Sequence, residues 1–419
     1  MNSFNRGTVV LIESSDIGAR YSAEAIKALG YEPLFLCDLA DYHADPLAQI
    51  QNYPHLQCHT TSAESVISTL NGLKTSELIG ITSFVDSRLT VAVEVAERLG
   101  LRGLDPQILK LKNKGLAYTL TPEYSPASLV FRPSDMSPQD HLRLAQLFRR
   151  AGKLILKPSA GAGAIGIFTV TSELQLTQIQ QTIASKNVPD HFVHDEWMAQ
   201  AYIPGELVSL EGYVVAGKTT TLGFTNRVKV HATESRASFP VDESLKPRQR
   251  AKALQAVHAL VQRSGFRNGY FHIEFLLSGD DAVLIDANMG RLGGGPVGEL
   301  LALSYGVDPI AIYEHALEVC LFGKESHSPY VHAEIEGKKQ GAHSVLYGLE
   351  HGGDLLGVSF PSHARVYHTQ LLDRGTHASP MGTDDWSWIG IVSGLESDTE
   401  AAVRGLKIST SSGEFPACY

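Results

Sequence analysis

The stretch 284–295, LIDANMGRLGGG, sets Asp286, Asn288 and Arg291 close together behind an apolar run and ahead of three glycines. Glu274 lies twelve residues before Asp286, in HIEFLLSGDDAVLIDAN, with SGDD as a tight turn between two strand-like runs. Side chains alternate along a strand, so Asp286 and Asn288 share a face, and closure at SGDD brings Glu274 opposite them. Two carboxylates and an amide oxygen are hard donors of the kind Mg2+ takes, alongside waters and substrate phosphates. An unpaired acid inside AVLIDAN would be costly, which weighs against a merely exposed acidic face. His272 shares the face of Glu274 as His-x-Glu. No Pro-Cys-x-x-Cys follows, which excludes a zinc deaminase. His272 is left as a substrate contact, a support for its neighbours, or a packed histidine.

A second candidate is GAGAIG at 161–166. A dinucleotide fold needs a helix after such a loop, and here strand-like GIFTV follows. The Gly-Lys-Ser/Thr ending of a P-loop is absent, and so are the His-Arg-Asp and Asp-Phe-Gly elements of a protein kinase. Lys157 sits just ahead, at the end of LILK. A strand-end lysine followed by a glycine flap makes a phosphate clamp. Gly161, Gly163 and Gly166 let backbone N–H groups approach phosphate oxygens, and the lysine adds a point charge.

The elements around these residues alternate. TVVLIES, EPLFLCD and LIGITSFVD read as strands, and ARYSAEAIKALG and RLTVAVEVAERLG as helices ending at Gly30 and Gly100. That order predicts a parallel sheet with helices on its faces over about the first 110 residues. PEYSPASLVFRPSDMSP reads as a connection carrying a short strand. PQDHLRLAQLFRRAG reads as an amphipathic helix, and TSELQLTQIQQTIAS as one helix capped by Thr171 or Ser172. From about residue 190 the chain is strand-rich, with WMAQAYI, ELVSLEGYVV and KTTTLGFTNRVKV before the long helix KPRQRAKALQAVHALVQRSG. Residues beyond about 330 read as a smaller α/β or β-rich segment.

With 419 residues the chain is long enough for about two to four domains. Its 43% hydrophobic and 19% charged content fits a globular protein. No apolar run approaches the ~18 residues of a membrane span, and no export signal is read at the N-terminus. The net charge of -10, without a long Lys/Arg run, argues against nucleic acid and anionic membranes as partners. Cys37, Cys58, Cys320 and Cys418 are scattered and read as reduced thiols of a cytoplasmic protein.

The order of these pieces resembles the ATP-grasp superfamily. NKG at 113–115, KPSAGAGAIG at 157–166, MAQAYIPGELVSLEG and the HIE…LIDANMGR hairpin come one after another as they do there. The branch it is most similar to is the L-amino-acid ligases, through ESRASFP with Glu234 six residues before Pro240, GYFHIE, RLGGG and GVDP. The resemblance covers roughly residues 75–320. It implies an α/β, in part α+β, ATP-grasp fold. A Rossmann-like parallel domain would occupy residues 1–110, a glycine-flap lid 111–190, a central antiparallel-sheet domain with the metal site 191–328, and a small C-terminal α/β subdomain 329–419.

The resemblance also implies roles. Lys114 and Lys157 would contact ATP phosphates under the flap of Gly161, Gly163 and Gly166. Gln200, Ala201, Tyr202 and Ile203 would line the adenine pocket, and Glu206 would hold the ribose. Arg227 or Lys229 would add charge at the γ-phosphate. Glu274, Asp286 and Asn288 would hold two Mg2+ ions, with Mn2+ as a substitute. Arg291 would stabilise an acyl phosphate and the tetrahedral intermediate. Gly294 and its neighbours would close backbone amides around that intermediate, near a helix N-terminus. Glu234, Arg236 and His272 would contact amino-acid substrates.

There are departures. Asp-Ala-Asn-Met-Gly-Arg replaces the usual Glu-x-Asn-Pro-Arg, with one extra residue before Arg291. Gln200 stands where a Glu is usual, Leu207 where the ribose acid often lies, and Tyr118 where an Arg is often found.

The implied reaction joins an amino-acid or other carboxylic acid to an amine, releasing ADP and phosphate, in a cytoplasmic enzyme with a homodimer as one assembly. The alternatives are a carboxylase or purine-pathway-type ligase of the same superfamily, or a non-catalytic ATP-binding protein.

Overall fold

The computed structural model describes residues 7–15, 17–73, 77–161, 166–185, 196–231, 233–324, 339–361, 365–383 and 387–419. The N-terminal strands β1 (Thr8–Ile12), β2 (Glu32–Cys37), β3 (His55–Gln57) and β4 (Leu78–Thr82) form a parallel sheet in the order β3-β2-β1-β4. Val9 to Ile12 are each at most 1% exposed, as a parallel strand covered on both faces requires. Helix Ala19–Ala28 crosses from β1 to β2, and helix Leu89–Leu99 follows β4. Gly30 and Gly100 come after them at φ +83° and +66°, the left-handed stops read in the sequence.

The next strands, β5 (Ser128–Phe131), β6 (Leu154–Pro158), β7 (Phe168–Val170) and β8 (Trp197–Ala201), form an antiparallel sheet in the order β5-β8-β6-β7. Helix Pro138–Ala151 starts with a capping box between Ser137 and Asp140. Leu144 of this helix joins Phe131, Leu156, Ile179 and Trp197 in a separate small core. The single helix expected over 171–185 is corrected to two. Ser172 caps Glu173–Thr177, the chain leaves helical geometry at Gln178 (φ -101°, ψ 11°), and Ile179–Ala184 is the second.

Strands β9 (Glu206–Val215), β10 (Lys218–Val230), β11 (Thr233–Phe239), β12 (Gly269–Ser278) and β13 (Asp281–Met289) form most of an eight-stranded sheet. The C-terminal residues supply β14 (Ala342–Tyr347), β15 (Gly353–Ser359), β16 (Tyr367–Gln370), β17 (His377–Ala378), β18 (Gly390–Leu395), β19 (Lys407–Thr410) and β20 (Gly413–Pro416). Of these, β14, β18 and β16 continue the large sheet, in the order β13-β12-β9-β10-β11-β14-β18-β16. The other four make a sheet in the order β17-β15-β19-β20.

Two packing layers hold the large sheet in place. Helix Pro247–Ser264 lays Ala253, Ala256, Val257 and Leu260 into one apolar cluster with Phe271, Ile273 and Phe275 of β12. Each large side chain buried there stabilises the fold by about 1.5–3 kcal/mol. On the other side, Ile17, Ala23 and Ile26 share a cluster with Leu292, Leu300, Ile312, Leu346 and Ile391. That cluster joins the N-terminal unit to the segment after β13 and to the C-terminal strands. All four cysteines are free. Among the described residues no helix is long and apolar enough to cross a membrane.

Candidate active site

The β12–β13 hairpin is the base of the site. Its register sets Glu274 opposite Asp286 and His272 opposite Asn288, as the strand alternation predicts. The opposite face carries Phe271, Ile273, Leu284 and Met289 into the core, which fixes which side the polar residues take. Those polar residues open into a cavity of about 380 Å³.

One end of the cavity is cationic. Lys114 Nζ lies 3.0 Å from Asp286 Oδ2 and donates to the Gly161 carbonyl at 3.0 Å. Its helix, Lys114–Leu120, is fixed by the Asn113 cap, and the Lys114 amide bonds the Ser159 carbonyl at 2.8 Å. Burial alone would favour the neutral amine, but Asp286 and Asp86 outweigh it and raise the Lys114 pKa. Lys157, at the end of β6, is 5% exposed and donates to the Ile285 carbonyl at 3.0 Å and to the Tyr118 hydroxyl at 3.3 Å. Burial pushes its ammonium down to about 8, with Asp286 opposing and Lys114 adding to the shift. Gly161 has φ +155° and Gly166 has φ +77°, the conformations a glycine flap exploits. Gly163 lies outside the described residues.

The middle of the cavity is a charge network. Arg227 on β10 reaches Glu234 and Glu274, each at 3.3 Å, and donates to His272 Nε2 at 2.8 Å. A guanidinium only donates, so Nε2 accepts, and the network assigns the ring proton to Nδ1, 2.8 Å from Glu211 Oε1. Glu211 is 2% exposed. The sequence reading missed it, although a glutamate inside the apolar run LVSLEGYVV was a signal. Glu274 is held well below the usual carboxylate range: burial opposes ionisation, and the charges of Arg227 and Lys114 outweigh burial.

Arg291 lines the same cavity. Gly290, the extra residue before it, has φ +94°, and a Cβ there would lie 2.2 Å from Ile108 Cδ1. The chain bends at this glycine and turns Arg291 back into the cavity. Arg291 Nε donates to Asp86 Oδ1 at 3.0 Å, and its Nη1 to the Leu292 carbonyl at 2.8 Å. Asp86 also pairs with Lys112. Burial opposes the charge on Asp86, but Lys112 and Arg291 hold it well below the usual carboxylate range. Asp86 and Lys112 were not singled out from the sequence. Asp86 lies beyond the C-terminal end of β4, where open parallel sheets place their ligand-binding residues. Gly294, Gly295 and Pro296 also line the cavity, just before helix Val297–Tyr305.

Lys114, Lys157, Gly161, Arg227, Lys229, Glu234, His272, Glu274, Asp286, Asn288, Arg291 and Gly294 therefore line one cavity. Other expected residues do not line it. Gln200 is buried and accepts from the Tyr118 hydroxyl at 2.8 Å. The Ala201 and Tyr202 amides bond the Ala127 and Lys153 carbonyls at 2.8 and 3.0 Å, and Lys153 sits 3.8 Å over the Tyr202 ring. Ile203 leads out of β8 after them, and Glu206 is exposed at the start of β9, opposite Leu277. Arg236 is turned away by a bulge. Val228 pairs with Arg236 but Lys229 pairs with Glu234, so Ser235 is the inserted residue and Glu234 and Arg236 face opposite sides. Arg236 stacks instead on Tyr419, 4.8 Å from the ring centroid.

Among the described residues no group of three or more His, Cys, Asp or Glu is arranged to hold a metal ion. The oxygens of Glu274, Asp286 and Asn288 face one cavity, and both carboxylates are paired with cations. Two carboxylates and an amide suit a hard ion that completes its shell with water and phosphate oxygens, as Mg2+ does.

Residues 151–298 match the family model of the ATP-grasp domain. No curated protein matches the chain by sequence. Among solved structures, the L-amino acid ligase from Bacillus licheniformis superposes with TM-score 0.72 at 18% identity, over 95% of this chain and 96% of that one. The phosphoribosylglycinamide synthetase from Anaerococcus prevotii gives TM-score 0.69 at 13% identity, over 97% and 100%. Biotin carboxylase from Campylobacter jejuni gives TM-score 0.72 at 16% identity, over 96% and 92%. At these identities the likeness is one of fold, and it extends across nearly the whole chain.

Proposed function

Because this chain carries an ATP-grasp domain at residues 151–298, we propose that it is an ADP-forming carboxylate–amine ligase acting on an amino-acid carboxylate. The observation that carries the reading is one cavity lined by the ammonium groups of Lys114 and Lys157, by the oxygen donors of Glu274, Asp286 and Asn288, and by the guanidinium of Arg291. A phosphate donor and a carboxylate acceptor then meet between them.

The substrate carboxylate oxygen attacks the γ-phosphorus of ATP, the bond to the β,γ-bridging oxygen breaks, and ADP leaves. The amine nitrogen then attacks the acyl carbon, loses its proton to water, and phosphate leaves with the electrons of the C–O bond. Lys114 and Lys157 hold the phosphates, with Gly161 and Gly166 bringing backbone amides over them. Glu274, Asp286 and Asn288 would hold two Mg2+ ions, which would supply charge neutralisation at the phosphate oxygens. Arg291, held by Asp86, faces the negative charge that develops on the acyl group. Glu234 takes the ammonium of the amino acid, and His272 is fixed beside it by Glu211 and Arg227. Residues 1–110 complete the acceptor end, 111–190 act as the lid, 191–328 hold the metal, and 329–419 close the cavity. The enzyme acts in the cytoplasm, as a monomer or homodimer.

The test is turnover by the purified chain with ATP, Mg2+ and pools of amino acids, read by phosphate release and mass spectrometry of products. ADP, phosphate and a new amide are expected. AMP and pyrophosphate would overturn the acyl-phosphate route.

A further inference from the structure

The cavity has a wall that the phosphate and metal chemistry leaves without a task. The four side chains that residues 339–419 contribute to the cavity are Leu346, Leu371, Trp388 and Ile391. All four are apolar. Ile17 from the N-terminal unit joins them. Leu346 and Ile391 are register partners on β14 and β18, so they stand side by side on one face. Leu371 is tied in through its amide, 2.8 Å from the Ile389 carbonyl. Trp388 donates its indole N–H to the Glu234 backbone carbonyl at 2.7 Å, which couples the wall to the strand carrying Glu234. These five residues lie outside the segment 151–298 that matches the domain family.

We propose that Ile17, Leu346, Leu371, Trp388 and Ile391 form the pocket for the side chain of the amino-acid substrate, and that this side chain is apolar. The inference rests on the ligase reading above. The neighbouring groups suit the rest of such a molecule: Arg291 for its carboxylate and Glu234 for its ammonium. The wall suits bicarbonate and phosphorylated acceptors less well. Bicarbonate has no apolar part to cover. A phosphoribosyl group or an acidic side chain would need a cation, and this wall offers none among its described residues. Covering an aliphatic or aromatic side chain removes apolar surface from water, whereas a serine or aspartate side chain would lose water contacts with nothing in return.

The experiment uses the full chain and a panel of single amino acids: L-leucine, L-methionine, L-phenylalanine, L-serine, L-aspartate and L-lysine. Phosphate release with ATP and Mg2+ gives kcat/KM for each, and calorimetric titration without ATP gives binding of the free amino acid. The apolar members are expected to exceed serine and aspartate by at least about tenfold in both readouts, since one methylene in a fitted pocket already gives about that discrimination. Leu371→Ala is expected to lower the apolar preference about tenfold through KM, with ATP affinity as the unaltered control. Ile391→Val, a smaller change should the first variant fold poorly, is expected to shift the ranking among leucine, methionine and phenylalanine. Turnover that prefers aspartate, serine or lysine, or a ranking that neither variant moves, overturns the side-chain assignment and leaves the ligase reading standing. Phosphate release with no amino acid, although ATP binds, overturns the ligase reading and this assignment with it.

Discussion

Arg291 donates through Nε to Asp86, 205 positions away in the chain, at 3.0 Å. Asp86 stands just beyond β4 of the N-terminal sheet, and Arg291 just beyond the hairpin that carries Glu274 and Asp286. The bond therefore ties the proposed acyl-stabilising cation to a different unit from the one carrying the proposed metal ligands. Two cations converge on this one carboxylate, since Lys112 pairs with it as well. The arrangement sets the guanidinium's direction before any substrate arrives, which is the preorganisation that electrostatic catalysis needs.

Replacing Asp86 should therefore act through Arg291. Asp86→Asn keeps the shape but loses the charge that holds two cations. We expect kcat to fall about 100-fold, the scale for a misplaced catalytic group, with ATP affinity within about threefold of the parent. Asp86→Ala should also lower stability by about 3–5 kcal/mol, because it leaves buried cations unpaired. Steady-state kinetics with a separate ATP titration separates the two effects. An Asp86→Asn enzyme with unchanged kcat would remove the positioning role.

Asp286 makes a sharper case. Its carboxylate pairs with Lys114 at 3.0 Å and is one of the three donors proposed for Mg2+. Asp286→Ala should lower kcat/KM by about 100-fold or more and raise the Mg2+ concentration needed for half-maximal turnover. A magnesium titration at saturating ATP reads this directly. If the half-maximal concentration does not move, the metal belongs elsewhere.

How much of this was legible in the sequence depends on the range of the interaction. The pairing of Glu274 with Asp286 came from strand alternation and a tight turn, both local. The position of Lys157 near the end of a strand was legible for the same reason. The contact between Arg291 and Asp86 was not, because it exists only once the N-terminal sheet docks against the segment after β13. Arg236 was expected to contact substrate together with Glu234, and a one-residue bulge at Ser235, which has no compositional signature, put the two on opposite faces. The bond from the Tyr118 hydroxyl to the Gln200 side chain was not legible either, because it joins residues 82 positions apart.

Lys157 should give ATP binding a pH dependence. Its ammonium is pushed down to about 8 by burial. The charged form binds phosphate, so affinity is full below about pH 8 and falls as the pH rises through that value. The slope approaches about tenfold per pH unit until the proton stabilised by bound phosphate is also lost. Lys157→Arg keeps its charge over this range, so its profile should stay flat there, whatever its absolute affinity. Equilibrium ATP titrations between pH 6.5 and 9.5 make the comparison. Identical limbs in parent and variant would assign the titration to another group.

Gly290 offers a test of the bend that delivers Arg291. Its φ is +94°, and a Cβ would meet Ile108 Cδ1 at 2.2 Å. Gly152, after helix Pro138–Ala151, also has positive φ, at +72°, but a Cβ there would meet nothing within 4 Å. Both positions penalise alanine through the backbone, by about 1 kcal/mol or somewhat more. Only Gly290→Ala adds a collision with a fully buried side chain. We expect Gly152→Ala to cost about 1 kcal/mol and Gly290→Ala at least about 3 kcal/mol, the difference being overpacking against Ile108. Thermal melts of the two variants side by side measure it. The truncation Ile108→Val in the Gly290→Ala background should recover part of the loss, because it removes the methyl the new Cβ meets. Turnover should keep the same order, with Gly290→Ala reduced through displaced Arg291 and Gly152→Ala close to the parent. Equal melting shifts for the two alanine variants would mean that backbone strain alone governs the bend and that Ile108 plays no part in it.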